Sequence, residues 1–297
     1  MTAPTPRPAP RSVLFVPANR LDLAAKVGTS GADAVCFDLE DAVPAQSKAA
    51  ARESLAESVT VARQSRLQVH VRVNADLEIF ADDLSAALDA GIDGIVLPKA
   101  RGPEHIALVC EAIERLDQSP NPVTLIAMVE NVAAIDNLRR GTRTPHARLS
   151  GVLFGPEDYC ADLGALPDGG VLDPAFFAVV ELARLLGVQA FGFPGSIAEF
   201  HDLEAFAAWV ARGRGFGAVG AFCIHPKQVP ILNDAFSASD DEIAWARRVT
   251  AAFSEAGTRG DGVVALDGQM IDRPVVERAK RILARVDAAD AAREGIT

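Results

Sequence analysis

The chain has 297 residues, of which 49 % are hydrophobic, and a formal net charge of −11. This length and composition suit one large domain, or a domain with an appendage, around a sizeable core. The negative charge argues against general nucleic-acid binding, which needs a basic face. The four cysteines show no CxxC spacing, so we expect buried, reduced thiols.

The N-terminal stretch MTAPTPRPAPR is rich in proline and alanine, and we expect a disordered arm over residues 1–11. It has no apolar central segment, so a signal peptide is not expected. No run reaches the roughly 18 consecutive apolar residues of a membrane span. We therefore expect a cytoplasmic protein with no membrane partner.

Eight strand-like apolar runs follow one another along the chain, with helical patterns between them. Most runs are continuous rather than alternating, which is typical of parallel strands buried on both faces. Eight such units predict an α/β fold, a (β/α)8 TIM barrel over residues 12–235. An open doubly wound sheet is the alternative, but no G-x-G-x-x-G follows the first strand. The predicted strands are 12–19, 34–41, 67–74, 94–100, 124–131, 150–158, 189–195 and 218–226.

Residues 236–297 form a predicted C-terminal extension, which an eight-unit barrel does not need for closure. Capping-box spacing at Ser239 and Glu242 predicts a first helix. A Gly-rich loop at 257–262 and the short apolar run VVALDGQMI separate it from a last helix, predicted from about Arg273 to Ala292. An added helical element of this kind often serves as a lid or packs on a neighbouring subunit.

Seven of the eight predicted strands end on charged side chains. Barrel enzymes place their catalytic groups at this end of the strands, so the pattern predicts an enzyme. Only the seventh strand differs, because it ends in Phe193-Pro194-Gly195-Ser196. The polar residues at the other ends are Asn19 and Arg20, Glu40 and Asp41, Arg72 and Asn74, Lys99, Glu130, Glu157 and Asp158, then His225 and Lys227.

Glu130 and Asp158 are the candidates for a metal site. Isolated buried carboxylates are costly, and a divalent cation is among the few partners that make them tolerable. Oxygen ligands suit Mg²⁺ or Mn²⁺, and no HxH, HExxH or Cys-His set points to zinc. Arg72 offers a planar fork for a carboxylate or a developing enolate oxygen. A structural salt bridge between Glu130 and Arg72 is the alternative interpretation.

Two other residues have both a functional and a structural interpretation. A Schiff-base lysine is one interpretation of Lys99, although a salt bridge at the end of the barrel or a phosphate contact is favoured. A general base is one interpretation of His225, although a histidine bonded to backbone at a strand end is favoured. No G-x-S-x-G elbow is present, which weighs against a serine hydrolase.

An ordered set of motifs runs along the chain: RSVLFVPANR, AVCFDLEDAV, VHVRVNA, GIVLPKA, MVENVAAI, LFGPEDYCADLG, FCIHPKQVPILNDAFSAS and GQMIDRPVV. Over roughly residues 11–285 the set resembles the citrate lyase beta-subunit-like group of CoA-ester lyases in the HpcH/HpaI aldolase/citrate lyase family. The resemblance implies a barrel fold, a Mg²⁺ cofactor and a homotrimer or hexamer. It implies cleavage of a 3-hydroxyacyl-CoA thioester, such as malyl-, citramalyl- or hydroxymethylglutaryl-CoA, into an acyl-CoA and a 2-oxo acid.

The resemblance also implies a role for individual residues. Glu130 and Asp158 match the metal ligands, and Arg72 matches the arginine that binds the substrate carboxylate and stabilises the enolate. Glu40 and Asp41 of LEDAV match acids that hold waters beside the metal. Catalysis is thus implied for Arg72, Asp272, Glu40 and Asp41, and substrate binding for Arg72, Glu130, Asn19, Arg20, Lys48 and Lys99.

Asp272 has two interpretations, and Gly192 departs from the family pattern. Asp272 of GQMID matches an acid that reaches a neighbouring subunit's site, and, with Arg273 and Pro274 after it, it is also a good N-cap. The two interpretations of Asp272 are compatible. After the seventh strand the family reads Ile-Asp-Gly with an aromatic and an acidic loop, whereas Gly192 stands here in place of the acid. This departure affects the acyl pocket, and therefore the substrate.

Other functions remain open on the sequence. A malyl-CoA thioesterase uses the same scaffold with water as the final nucleophile, and an aldolase would act on free 2-oxo acids without CoA. A non-catalytic subunit that binds an acyl-carrier partner is a further alternative. A citrate lyase beta subunit acting on an acyl-carrier-bound citryl thioester is also possible, but the long tail with GQMID favours free CoA esters.

Overall fold

The computed structural model of the protein describes residues 8–141, 146–167, 169–198, 200–258 and 263–294. Residues 9–236 form one compact unit, and the residues from Ser237 onwards belong to a second. Of the arm predicted over residues 1–11, residues 1–7 lie outside the described ranges, whereas Arg11 donates hydrogen bonds to Asp33. All four cysteines are buried thiols that form no disulfide. No helix in the described ranges is long and apolar enough to cross a membrane.

The first unit is an eight-stranded parallel barrel with helices between the strands, as the sequence predicts. Its elements in chain order are β1 (Ser12–Pro17), α1 (Leu21–Ala24), β2 (Ala34–Asp38), α2 (Lys48–Gln64), β3 (Gln68–Arg72), α3 (Leu77–Asp89), β4 (Gly94–Leu97), α4 (Pro103–Leu116), β5 (Thr124–Val129), α5 (Val132–Arg140), β6 (Leu149–Phe154), α6 (Pro156–Leu163), α7 (Gly169–Leu186), β7 (Gln189–Phe191), α8 (Leu203–Phe216), β8 (Ala221–Cys223) and α9 (Val229–Phe236).

The strands run in the order β8-β1-β2-β3-β4-β5-β6-β7, without the reversal that defines a doubly wound sheet. Between β7 and β8 the ring is completed by an isolated parallel bridge of Phe191 and Gly220, and the Gly192 amide donates to the Gly220 carbonyl. The alternative of an open doubly wound sheet is therefore wrong.

The strands end earlier than the apolar runs suggest, most clearly at β6. The run predicted as a strand over 150–158 leaves the sheet after Phe154, and Pro156 stands in the first turn of α6. Proline is favoured there because its fixed φ suits a helix start and its missing N–H needs no partner. Asp158 therefore lies in the first turn of a helix, not at the end of a strand, and the prediction of a strand through Asp158 is wrong.

The barrel interior is filled by one set of alternating strand side chains, while the other set packs with the helices. Alternation follows from the period of two along a strand, so each second residue points the same way. The interior cluster consists of Val13, Ala34, Cys36, Val96, Ile126, Met128, Leu153, Phe191, Val219 and Phe222.

The same period carries polar side chains to one end of that interior. Cys36 faces the interior on β2, and Asp38 follows two residues later. Met128 faces the interior on β5, and Glu130 follows it in the same way. Asp38 is also the register partner of Arg72 across β2 and β3. The sheet register thus brings three charged residues over the C-terminal end of the core.

The second unit contains α10 (Asp240–Thr258), β9 (Val264–Leu266), β10 (Gln269–Ile271) and α11 (Arg273–Glu294). The predicted capping box is confirmed, since the amide of Ser239 donates to Glu242 and the Glu242 amide donates to the Ser239 hydroxyl. The apolar run VVALDGQMI forms an antiparallel hairpin, with Asp267 and Gly268 at positive φ in its turn. Most of the predicted Gly-rich loop at 257–262 lies outside the described residues.

Candidate active site

The C-terminal rim of the barrel, where all eight strands end, holds most of the predicted site residues. Arg72 is the last residue of β3, and Glu130 follows the last residue of β5 directly. Glu40 and Lys99 each lie two residues beyond β2 and β4. Four neighbouring strands therefore deliver these four side chains to one part of the rim.

Arg72 is held by Asp38, a residue that the sequence analysis did not select. Its Nε donates to Asp38 Oδ1 at 2.7 Å and its Nη2 donates to Oδ2 at 2.6 Å. Burial alone would lower the pKa of Arg72, but the hydrogen bonds and charge of Asp38 raise it, so the guanidinium stays charged. Asp38 also accepts from the amides of Glu40 and Ala42, which fixes the loop after β2.

The remaining guanidinium nitrogen of Arg72 faces acids across the rim. Nη1 lies 3.1 Å from Glu40 Oε2 and 3.8 Å from Asp41 Oδ2. Within the described part of the chain, the ion pairs of Arg72 are with Asp38, Glu40 and Asp41, not with Glu130. A substrate carboxylate can therefore meet Nη1 while the two hydrogen bonds to Asp38 persist.

Glu130 is one of the buried carboxylates of the rim and is only 2 % exposed. Its Oε1 accepts the Lys99 amide at 2.5 Å, whereas its buried Oε2 has no hydrogen-bond partner among the described residues. Burial, and then the negative charge of Asp158, raise the pKa of Glu130 to about 8. Two nearby carboxylates with one unpaired buried oxygen form a site that a cation would complete.

Gly155 keeps the space around that oxygen open. A Cβ at this position would stand 2.6 Å from Glu130 Oε2 and 2.9 Å from Met128 Cε, closer than real contacts allow. The Gly155 amide meanwhile donates to the Val129 carbonyl, so the chain passes directly beside Glu130. Gly155 lies in the motif LFGPEDYCADLG, but the motif alone predicts no role for it.

Asp158 stands in the first turn of α6 and is partly buried, whereas its neighbour Glu157 is exposed and accepts a hydrogen bond from Ser196. No group of three or more His, Cys, Asp or Glu side chains suited to a metal occurs in the described ranges. The protein thus offers two carboxylates, which is the pattern of Mg²⁺ sites that keep waters and substrate oxygens as further ligands.

Lys99 joins two of the acids at the rim. Its Nζ donates to Glu40 Oε1 at 2.6 Å and lies 3.7 Å from Asp41 Oδ1. Burial would lower the pKa of Lys99, but the bond to Glu40 and the surrounding acids raise it, which leaves a charged ammonium. This is the salt-bridged lysine that the sequence favours over a Schiff-base lysine. Burial also raises the pKa of Glu40, against the opposing charge of Arg72.

Lys48 lies beneath the rim and supports the loop after β2. Its Nζ donates to the carbonyls of Leu39 and Glu40 and to Asn74 Oδ1. These bonds use all three donors of the ammonium group. Asn74 is itself held by the fully buried Asp83. A direct contact of Lys48 with substrate would require one of these bonds to break.

In the described part of the chain, the hydrogen bonds of Asn19, Arg20 and His225 do not involve Arg72, Glu40 or Lys99. Asn19 and Arg20 are exposed after β1, and Arg20 forms a surface pair with Asp22. His225 accepts from the Lys227 amide and stacks on Phe200, which is the backbone-bonded state that the sequence favours.

Asp272 belongs to the second unit, where its Oδ1 accepts from the Val275 amide at 3.3 Å. It therefore caps α11, as one of its two interpretations predicts. The catalytic interpretation stays a prediction.

Together these features define a (β/α)8-barrel enzyme with a paired-carboxylate site and a fixed arginine on its C-terminal rim. The chain belongs to the HpcH/HpaI aldolase/citrate lyase family, whose model matches residues 11–226. A citrate lyase subunit beta-like protein of Deinococcus radiodurans is 37 % identical over 280 residues, covering 92 % of this chain and 96 % of that protein.

Two further relatives bear on activity. A (3S)-malyl-CoA thioesterase of Cereibacter sphaeroides is 33 % identical, and the match covers 94 % of this chain and 95 % of that enzyme. The protein CitE of Mycobacterium tuberculosis, crystallised with magnesium, acetoacetate and coenzyme A, is 27 % identical. The structural match covers 94 % of this chain and 98 % of the CitE chain, with a TM-score of 0.69. The family resemblance found in the sequence is confirmed.

Proposed function

We propose that the protein is a Mg²⁺-dependent carbon–carbon lyase. It cleaves, or in reverse forms, a 3-hydroxyacyl-CoA thioester such as malyl-, citramalyl- or hydroxymethylglutaryl-CoA. The products are an acyl-CoA and a 2-oxo acid, or a 3-oxo acid in the case of hydroxymethylglutaryl-CoA. The observation that carries the proposal is the buried, unpaired Oε2 of Glu130 beside the charge of Asp158. The related CitE protein, crystallised with magnesium, acetoacetate and coenzyme A, supports it.

Glu130 and Asp158 are the residues that would hold Mg²⁺, or Mn²⁺ in its place. The unpaired oxygen, the raised pKa of Glu130 and the space beside Gly155 all fit a small cation with oxygen ligands. When bound, the ion supplies Lewis-acid stabilisation of negative charge on the oxygen that becomes the ketone.

Arg72 is positioned to recognise the substrate. Its planar fork is charged, and two of its nitrogens are committed to Asp38, so Nη1 is the donor that it offers. In the proposed reaction Nη1 binds the substrate carboxylate and stabilises the developing enolate, because a fixed donor needs no reorganisation as charge appears. Glu40 and Asp41 stand next to it and would hold waters around the site.

The proton at the enolate carbon requires an acid, and we assign that role to Asp272 on the strength of the family motif GQMID. In this proposal residues 236–297 act as an extension or lid over the site of a neighbouring subunit in a cytoplasmic homotrimer or hexamer, while residues 12–235 carry the barrel. An aspartate at a helix start can accept from backbone and exchange a proton with a ligand.

For the CoA or acyl portion, Asn19, Arg20 and Lys99 are the more accessible candidates. Asn19, Arg20 and Lys99 are all exposed. Lys48 is the weakest of the predicted contacts, because its three bonds hold the loop after β2.

A second candidate function is a malyl-CoA thioesterase, which the relative from Cereibacter sphaeroides favours. Water would then attack the thioester carbonyl, and the products would be free CoA and the intact hydroxy acid. A citrate lyase beta subunit acting on an acyl-carrier-bound citryl thioester is the third, favoured by the relative from Deinococcus radiodurans. The products formed from free CoA esters separate the lyase from the thioesterase, and a requirement for the acyl carrier would identify the third case.

The metal assignment is tested by calorimetric titration of Mg²⁺ into the protein and into Glu130→Gln and Asp158→Asn. Each substitution removes one charged ligand while it keeps the side-chain shape, so binding and metal-dependent turnover should be lost while the fold persists. Glu157→Gln is the matched control one residue from Asp158, and it should bind normally. Retained Mg²⁺ binding in both site variants would contradict the assignment.

A further inference from the structure

Lys99 has a backbone conformation that is rare for a residue with a side chain. Its φ is +50°, in the left-handed region, where the Cβ crowds the following carbonyl. Two other non-glycine residues in the described ranges share this feature, Arg66 after α2 and Asp267 in the hairpin of the second unit. Lys99 is the one that stands at the end of a barrel strand, beside the paired carboxylates.

The backbone of Lys99 contacts Glu130 at this point of the chain. The Lys99 amide donates to Glu130 Oε1 at 2.5 Å, and the other oxygen, Oε2, is left buried without a hydrogen-bond partner in the described part of the chain. The Lys99 side chain points to a different acid, since Nζ donates to Glu40 Oε1. The backbone and the ammonium group of Lys99 therefore have separable contacts.

We propose that Lys99 is a positioning residue whose left-handed backbone holds Glu130 by Oε1 and thereby presents Oε2 to the cation. The inference rests on the proposed Mg²⁺ site and deepens it. A glutamate side chain has several rotamers, and a fixed amide that selects one of them reduces the entropy lost when a ligand binds. Pre-organisation of Glu130 would explain why the strained backbone of Lys99 is retained at this site.

Three substitutions separate the backbone from the charge. Lys99→Met keeps an unbranched side chain and removes the ammonium, which reduces repulsion of a cation, so Mg²⁺ should bind as tightly as before or more tightly. Lys99→Gly also removes the ammonium and accepts positive φ freely, so it should behave like Lys99→Met. Lys99→Val adds a branched Cβ that disfavours the left-handed region, so its Mg²⁺ affinity should be roughly tenfold weaker than that of Lys99→Met.

The control for strain alone is Arg66→Val. Arg66 has φ +59° in the turn before β3, at the opposite end of that strand from Arg72. This variant should lose stability but leave Mg²⁺ affinity unchanged. If Lys99→Val does not fold, Lys99→Thr carries the same branch in a polar side chain.

The measurement is calorimetric titration of Mg²⁺ alone into each folded variant, with thermal unfolding as the check on folding. Binding by the unmodified protein and Lys99→Met, with weakened binding by Lys99→Val, supports the inference. Equal affinities for Lys99→Val and Lys99→Met overturn it while the Mg²⁺ site stands. No binding by the unmodified protein would instead contradict the proposed function.

Discussion

Asp38 and Arg72 form a two-pronged ion pair across neighbouring strands, with hydrogen bonds of 2.7 Å and 2.6 Å. They are register partners in the β2–β3 ladder, so the sheet itself sets the distance between their backbones. Asp38 is buried and the Arg72 side chain is 11 % exposed, and the pair leaves Nη1 of Arg72 as the donor directed towards Glu40. The orientation of Arg72, the proposed substrate-binding arginine, is therefore fixed by an aspartate that is not one of the proposed metal ligands.

The substitution Asp38→Asn should damage both folding and catalysis. The amide places a donor against the guanidinium, and breaking a buried pair by removing one charge costs about 3–5 kcal/mol of unfolding free energy. Because Arg72 loses its orientation, KM for the substrate should rise and kcat should fall. Denaturant unfolding and steady-state kinetics check these expectations.

Asp33→Asn provides the matched control for Asp38→Asn. Asp33 forms a similar fork with Arg11 before β2, and both partners are over a quarter exposed. We expect a smaller loss of stability and unchanged kinetic constants for the folded enzyme. Normal kinetics in Asp38→Asn would show that Arg72 does not need this partner.

The raised pKa of Glu130 predicts how metal-free stability depends on pH. The folded protein holds a proton on Glu130 up to about pH 8, whereas the unfolded chain releases it near 4.5. Below pH 4.5 Glu130 is protonated in both the folded and the unfolded protein, so its burial costs no stability. Between pH 4.5 and about 8 only the unfolded chain releases the proton, so the folded protein becomes less stable as pH rises. Since one pKa unit corresponds to about 1.4 kcal/mol, the rise from 4.5 to about 8 predicts a total loss of about 5 kcal/mol.

Unfolding in EDTA at pH 5 and pH 9, for the protein and for Glu130→Gln, measures this effect. The variant lacks the titrating group, so its stability should fall less over the same interval. Mg²⁺ affinity should rise up to about pH 8, because below that pH the cation must displace a proton. An affinity that does not change with pH would contradict the raised pKa.

Gly155→Ala should close the space beside Glu130. The added Cβ would stand 2.6 Å from Oε2 and 2.7 Å from the Glu130 Cβ, so the end of β6 or the carboxylate must move. We expect loss of stability and Mg²⁺ affinity weakened by roughly tenfold, since a ligand atom displaced by a fraction of an ångström binds less well. Titration and thermal unfolding provide the measurement.

The control for Gly155→Ala is Gly215→Ala in α8. A Cβ at Gly215 meets nothing within 4 Å, and alanine is the better helix former. This variant should be neutral or more stable, with unchanged Mg²⁺ binding. Unaltered Mg²⁺ binding in Gly155→Ala as well would show that the space beside Oε2 is not used.

Two substitutions separate the capping role of Asp272 from its proposed catalytic role. Asparagine caps a helix about as well as aspartate, so Asp272→Asn should keep the stability of the second unit while it removes the acid. Asp272→Ala removes both the cap and the acid, so the helix should also be less stable by about 1 kcal/mol. Exchange of deuterium from solvent into the methyl group of acetyl-CoA, the proposed product, should fall in both variants. Normal deuterium exchange in Asp272→Asn would contradict the catalytic role and leave Asp272 with the capping role alone.

The sequence predicted the barrel because its strands are buried on both faces and recur with a regular spacing, and it placed Arg72 and Glu130 at strand ends correctly. Asp38 could also have been identified from the sequence. Ala34, Cys36 and Asp38 share one face of β2 by the period of two, which places an aspartate at the end of an interior-facing row. Asp158 was misplaced because the helix-initiating Pro156 was included in the apolar run.

Other features depended on tertiary contacts and were not predictable. The acceptors around Lys48 are the carbonyls of Leu39 and Glu40, in the loop after β2, and the Asn74 side chain, 26 residues away. The folding of that loop brings them together, and no sequence motif predicts that all three donors of Lys48 are used. The positive φ of Lys99 is likewise imposed by its surroundings, because Pro98 and Lys99 have no sequence preference for a left-handed turn.

The central claim is metal-dependent cleavage of a carbon–carbon bond, and mass-spectrometric product analysis tests it most directly. The protein would be incubated with malyl-CoA, citramalyl-CoA and hydroxymethylglutaryl-CoA, each with Mg²⁺ and with EDTA. The proposal predicts a shorter acyl-CoA together with a 2-oxo or 3-oxo acid from at least one ester, in the presence of Mg²⁺ only. Free CoA with the intact hydroxy acid, or no turnover of any ester, would contradict it.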